Sequence, residues 1–309
     1  MKQAIIGTVG LGGKSVFLPV DHFHAPGETL RAEGIFIEPG GKAYNQAVAA
    51  RRLGAEVLFF GAMGQDSGMI YCSNFLKSEG ITPILEILPQ YNTAYACILT
   101  DKNGENRVTV SQGAAAQLSA SFIFSQEQHI QRCTHMLLGL ECPLEATQAA
   151  LSLCRKHGVY TILNPAPATP LNLDFLHSVD LITPNQQEAA VLLGLSCLPE
   201  PEKLSHHLRK AGFTKAVVTL GSQGCLLLDS SESLLYPALR VSAVDTTGAG
   251  DVFNAALTVA LRRGLSLRQS VEYATHASAY SVSKAHVLDS LPTAQALLPL
   301  LGPLSPICL

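Results

Sequence analysis
The chain has 309 residues with a formal net charge of -3, and 47% of them are hydrophobic against 15% charged. That composition supports a large buried core in one big α/β domain or two small ones, and the lack of any block of like charge argues against a nucleic-acid or anionic-membrane surface. No apolar run reaches the ~18 residues that span a bilayer, and residues 1–7 lack the apolar core of a secretion signal. A cytoplasmic protein with small-molecule partners is expected. The eight cysteines, Cys72, Cys97, Cys133, Cys142, Cys154, Cys197, Cys225 and Cys308, form no Cys-x-x-Cys pair and read as reduced thiols rather than metal ligands.

In chain order, short apolar runs alternate with helical ones. Residues 4–7 read as a strand and lead into Gly7-Thr8-Val9-Gly10-Leu11-Gly12-Gly13-Lys14-Ser15. This run imitates two phosphate-binding motifs and completes neither: a Walker loop needs glycine where Thr8 stands, and Gly-x-Gly-x-x-Gly needs one at Ser15. Residues of about 14–38 and 94–110, the second with an Asn103-Gly104 turn, alternate polar and apolar like hairpins and predict a small β lid. His22 and His24 lack a third metal ligand.

Between the two hairpin regions, Gly40-Gly41-Lys42-Ala43-Tyr44-Asn45-Gln46-Ala47 opens a helix over 45–53. Paired glycines let a ligand touch backbone, while Lys42 and Asn45 at the helix mouth offer a cation and an amide to a hydroxyl-rich ligand. A plain Gly-Gly turn before an amphipathic helix is the competing reading. Strands at 57–60, 136–138, 161–163, 181–183 and 216–219 alternate with helices such as 144–156, as in a parallel sheet covered on both faces.

Asp245-Thr246-Thr247-Gly248-Ala249-Gly250-Asp251 then enters a helical pattern at Val252. Its backbone N–H groups can approach a phosphate because no side chain intervenes, and the positive end of the helix adds attraction. Asp251 beside a phosphate is placed to take the proton of an attacking hydroxyl, although an ordinary Asp N-cap has the same local sequence. The Pro-rich end, 299–309, is expected to trail over the surface.

Taken in order, Gly40 to Ala47, Asn164-Pro165-Ala166-Pro167-Ala168, Thr183-Pro184-Asn185-Gln186-Gln187-Glu188, Thr219-Leu220-Gly221-Ser222-Gln223-Gly224 and Asp245 to Asp251 resemble the ribokinase (PfkB) family of sugar kinases. The ribokinase branch is the best match, since Gly-Gly-Lys-x-x-Asn-Gln-Ala and Asn-Pro-Ala-Pro-Ala are both present. The resemblance runs to about residue 292 and implies an α/β fold: a doubly wound, mainly parallel sheet flanked by helices, with a small β-sheet lid, as a single domain over 1–309.

It also implies an ATP-dependent transfer of the γ-phosphoryl group to the hydroxymethyl group of a small sugar. Asp251 matches the base, and the N–H groups of Gly248, Ala249 and Gly250 match an anion hole. Asn185, Thr219, Gly221, Ser222, Gly224 and Gly250 match nucleotide-binding positions, and Glu188 matches a carboxylate that organises Mg2+ through water. Gly41, Lys42, Asn45, Glu141 and Asp251 match positions that hold sugar hydroxyls. Asp245 and Thr247 match a monovalent-cation site for potassium, where this chain carries His286 in place of a glycine.

A second departure follows the first strand, where the family places an aspartate against the sugar and this chain has no carboxylate until Asp21. The alternatives are therefore a nucleoside kinase of the same fold, or a nucleotide- or sugar-binding sensor with little turnover. A sugar phosphate would want Arg or Lys where Glu141 stands. Open β edges on the lid predict a homodimer.

Overall fold
The computed structural model describes residues 5–302 and the backbone of Ile307–Cys308. Its strands are β1 Ile5–Val9, β2 Gly13–Pro19, β3 Phe36–Gly40, β4 Glu56–Met63, β5 Thr82–Ile87, β6 Ala94–Thr100 and β7 Asn106–Ser111 in the first part of the chain. The second part adds β8 Cys133–Leu138, β9 Tyr160–Leu163, β10 Leu181–Ile182, β11 Ala216–Thr219, β12 Cys225–Leu228, β13 Ser233–Tyr236 and β14 Ile307–Cys308. Ten of them form one sheet in the order β14-β13-β12-β11-β10-β9-β8-β1-β4-β5, parallel from β11 to β5 and antiparallel from β11 to β14.

The parallel strands are apolar on both sides because helices cover both faces. In β4, Val57, Phe59 and Met63 join one core cluster while Leu58, Phe60 and Ala62 join the other. The fold is thus the doubly wound, mainly parallel sheet that the motifs imply. One terminal expectation changes: the backbone of Ile307–Cys308 pairs with Leu234 and Leu235 of β13 instead of trailing, although residues 303–306 and 309 lie outside the described part.

The remaining strands make a separate four-stranded sheet, β3-β2-β6-β7, built from both hairpin regions. Ser15 pairs with Glu38 on one side and Ala96 on the other, and Ala96 pairs with Val110. Because side chains alternate along a strand, Ser15, Phe17, Glu38, Ala96, Ile98, Val108 and Val110 share one face, and these residues line a cavity against the main domain. Among the described residues, no helix is long and apolar enough to cross a membrane.

Candidate functional site
Four of the polar motif residues converge because they lie at the C-terminal ends of parallel strands, where ligands bind in open α/β sheets. Glu141 follows β8, Asn164 follows β9, Asn185 follows β10 and Thr219 ends β11. The turn from Asp245 to Gly248 delivers a helix, Ala249–Arg262, whose N-cap is Gly248 at φ 78. Asp251 is therefore in the first turn of that helix rather than its cap.

Asp251 is 5% exposed and is held by the opposing helix, Lys42–Arg52. Asn45 Nδ2 donates to its Oδ2 at 3.0 Å and Gln46 Nε2 donates to its Oδ1 at 3.2 Å. Gln46 also donates to Asn164 Oδ1 at 3.2 Å, and Asn164 Nδ2 donates to the Thr183 carbonyl at 3.2 Å. Burial raises the Asp251 pKa, while Lys42 and the two amides act in the opposite direction. The carboxylate is thus desolvated, and its charge is supported by a nearby cation. Asp251 in turn is the main cause of a raised Lys42 pKa.

The Lys42–Arg52 helix begins at Gly41, φ 116, without a side-chain cap or an acid in its first turn. Glu141 supplies the missing acceptor from across the fold: its Oε1 and Oε2 accept the N–H groups of Lys42 and Ala43, each at 3.1 Å. Burial pushes the Glu141 carboxyl up to about 7 from an ordinary value near 4.5. A raised acid pKa means that Glu141 contributes stability below about pH 4.5 that is lost as pH rises through about 7. Glu141→Gln is expected to flatten the fall in melting temperature between pH 5 and 8; an unchanged slope would remove Glu141 as its source.

Two cavities meet at the glycine turn. The larger, ≈ 540 Å³, includes Thr219, Gly221, Ser222, Gly224, Ala249 and Gly250. The smaller, ≈ 300 Å³, includes Gly41, Lys42, Asn45, Glu141, Gly248 and Asp251, roofed by the small sheet. All five residues expected to hold sugar hydroxyls are therefore around one cavity. Asn45 Oδ1 is buried without a partner among the described residues, which leaves an acceptor at that wall.

The other expected residues are more dispersed. Asn185 lines neither cavity; it caps its helix in a reciprocal box with Glu188 and bridges backbone to Thr219. Both Glu188 carboxylate oxygens accept hydrogen bonds from Asn185, at 2.8 and 2.9 Å, and burial raises its pKa. Of the turn amides, that of Ala249 donates to the Thr246 carbonyl at 3.3 Å. Asp245 Oδ1 accepts the Thr247 N–H at 2.9 Å, and Thr247 Oγ1 accepts Asn106 Nδ2 from the lid at 3.4 Å.

Asp21 is not brought to the site. It pairs with His22 and Lys102 on the lid rim, at 3.2 and 3.4 Å, with its side chain 69% exposed. Asp21→Ala is expected to leave the sugar KM within about twofold, as for exposed ion pairs generally; a sharp rise would place it against the sugar.

Residues that sequence reasoning passed over include Gln46 and Asn164, quoted within motifs but given no role, and Glu38. A polar pair, Asn45-Gln46, inside an alanine-rich helix was the available sign for Gln46. The walls of the larger cavity at Ala238, Val241, Thr275 and Val282 had none, since they come from a loop and a distant helix.

The pfkB family carbohydrate kinase model matches residues 15–294. The chain is 36% identical to ribokinase of Haemophilus influenzae over 281 residues, which is 90% of this chain and 92% of that one. Among solved structures, Thermotoga maritima ribokinase superposes with a TM-score of 0.83 at 32% identity, covering 95% of this chain and 98% of that one. Arabidopsis thaliana ribokinase complexed with ribose and ATP superposes with a TM-score of 0.87 at 25% identity, covering 97% and 99%. With a site at the strand ends and these relatives, the chain belongs to the pfkB family of carbohydrate kinases, as a ribokinase-type phosphotransferase that acts on a sugar hydroxyl.

Proposed function
We propose that this protein transfers the γ-phosphoryl group of ATP to the hydroxymethyl group of ribose or a closely related pentose, with Asp251 as general base. The carrying observation is that the Gly248–Gly250 turn separates two cavities, with Asp251 on the side of the smaller one. The larger cavity suits a nucleotide and the smaller a monosaccharide, and the Arabidopsis relative is a complex with both ribose and ATP.

In this reading Asp251 takes the proton of the primary hydroxyl as its oxygen forms a bond to the γ-phosphorus and the bond to the ADP oxygen breaks. The N–H groups of Gly248 and Gly250, the helix end and Lys42 face the charge that builds on the transferred group. Ala249 joins the anion hole in the same assignment once its amide leaves Thr246. The lid keeps water from competing with the sugar. Thr219, Gly221, Ser222 and Gly224 bind nucleotide, with Asn185 fixed behind Thr219.

Mg2+ keeps several of its waters and takes phosphate oxygens, so the reading requires no all-protein cage of ligands. Glu188 would hold it through water; bound there, the ion neutralises phosphate charge. Asp245 and Thr247 are the assigned cation pair, tested by comparing potassium with Tris buffers.

The decisive assay is ADP production from ATP and magnesium over pentoses, 2-deoxypentoses, hexoses, polyols and nucleosides. Turnover confined to ribose-like pentoses is expected; turnover only with nucleosides would select the nucleoside-kinase alternative. A homodimer through the lid is part of the proposal, because β7 is an exposed edge strand with Val108 and Val110 58% and 50% exposed. A one-chain mass in gel filtration would end it.

A further inference from the structure
The smaller cavity contains a carboxylate that none of the roles above uses. Glu38, in lid strand β3, is 4% exposed, and its Oε2 accepts the Leu288 N–H at 3.2 Å. The Val287 amide acts to lower the Glu38 pKa, against the effect of burial. Glu38 forms no ion pair within 4.0 Å among the described residues. Burial, with Asp289 and Asp245 nearby, pushes its carboxyl up to about 7. A buried acid held by backbone amides alone is costly to keep, so the segment it holds should matter.

That segment is gripped from three directions. The Leu288 carbonyl accepts from the Arg52 guanidinium, which itself pairs with Glu79 at 2.6 Å. Phe36, two residues before Glu38 on the same face of β3, stacks on His286 with ring centroids 4.2 Å apart. His286 is at φ 64, the one non-glycine residue with positive φ among those described, a conformation that persists only when its surroundings hold it. Between these anchors, Val287 Cγ1 lies 2.8 Å from where a Cβ on Gly248 would be. Gly248 is the N-cap that begins the phosphate turn and the Asp251 helix.

We propose that Glu38 is a positioning residue for phosphoryl transfer: by holding the Val287–Leu288 backbone, it keeps Val287 against Gly248 and so sets the register of the anion-binding turn. The inference rests on the proposed role of that turn. It assigns Glu38 to geometry rather than to the sugar, because the side chain is almost wholly buried and its Oε2 is already engaged by the Leu288 N–H.

The test is steady-state kinetics of full-length Glu38→Ala and Glu38→Gln, with thermal unfolding as a control for folding. Glu38→Ala is expected to lower kcat roughly 10- to 100-fold, as a small misplacement of reacting groups does, with the sugar KM within about twofold. Glu38→Gln should recover most of the loss, since its amide oxygen still accepts one N–H. A rise in sugar KM at unchanged kcat would make Glu38 a sugar clamp and overturn the proposal; wild-type values for both would reduce it to packing.

A readout independent of turnover is the ratio of affinities for a non-hydrolysable ATP analogue and ADP, measured by calorimetry. That ratio should shrink in Glu38→Ala, and a wild-type ratio would count against the proposal. If Glu38→Ala does not fold, Val287→Ala removes the contact on Gly248 while leaving the carboxylate, and must show the same kcat defect. Failure of the turn assignment itself is seen separately, as unchanged turnover in Gly250→Val.

Discussion

Asp251→Asn is expected to lower kcat roughly 100- to 10,000-fold, the range for loss of a general base, while nucleotide binding changes little. The substitution keeps the shape of a side chain that is 5% exposed, so the turn need not move. Two amide donors point at different carboxylate oxygens, and in asparagine one of those positions becomes an NH2 that faces a donor. Rotation of the Asn45 amide resolves the conflict, because its Oδ1 has no partner among the described residues and can turn toward the new NH2. Removing a buried charge whose pKa is raised by desolvation also relieves a cost, so the melting temperature should not fall. Kinetics of the purified variant under saturating ATP and sugar decide the matter. Near-normal kcat in a folded protein would take Asp251 out of the proton transfer.

Gly250→Val should be nearly as damaging to turnover, by roughly 100- to 1,000-fold, which is the effect of losing one anion-hole donor. A Cβ at Gly250 would meet no atom within 4 Å outside its own turn of helix, so the first carbon of the side chain has room. The added methyl groups instead enter the larger cavity, where the phosphate of the proposed reaction would lie. Gly248 behaves in the opposite way. Its φ is 78, and a Cβ added there would stand 2.8 Å from Val287 Cγ1, so Gly248→Ala strains the backbone and forces a clash. That variant should lose about 1–3 kcal/mol of stability. Melting temperature and kcat measured together separate the two glycines. Full activity in Gly250→Val would show that the phosphate passes elsewhere.

The contrast between those glycines is invisible in Gly-Ala-Gly as text, and it marks what each level of information supplied. Local patterning determined the parallel strands of the large sheet other than β5, the helices after Gly41 and Gly248, and both halves of the small sheet. These follow from period, turn residues and burial on both faces, all of which act within a short stretch of chain. The order of the motifs determined the family, and residues such as Asp251, Lys42 and Asn45 carry enough chemistry to be noticed alone.

Other roles depend on partners far along the chain. Glu141 caps a helix that begins 99 positions before it, and Glu38 holds the Leu288 N–H from a distance of 250 positions. Asp21, the obvious carboxylate after the first strand, proved to face solvent, while Glu38 in an apolar run proved to be buried. Hydrogen bonds and burial depend on which groups share a few ångströms of space. That proximity comes from strand register and helix packing, so only the tertiary structure could decide it.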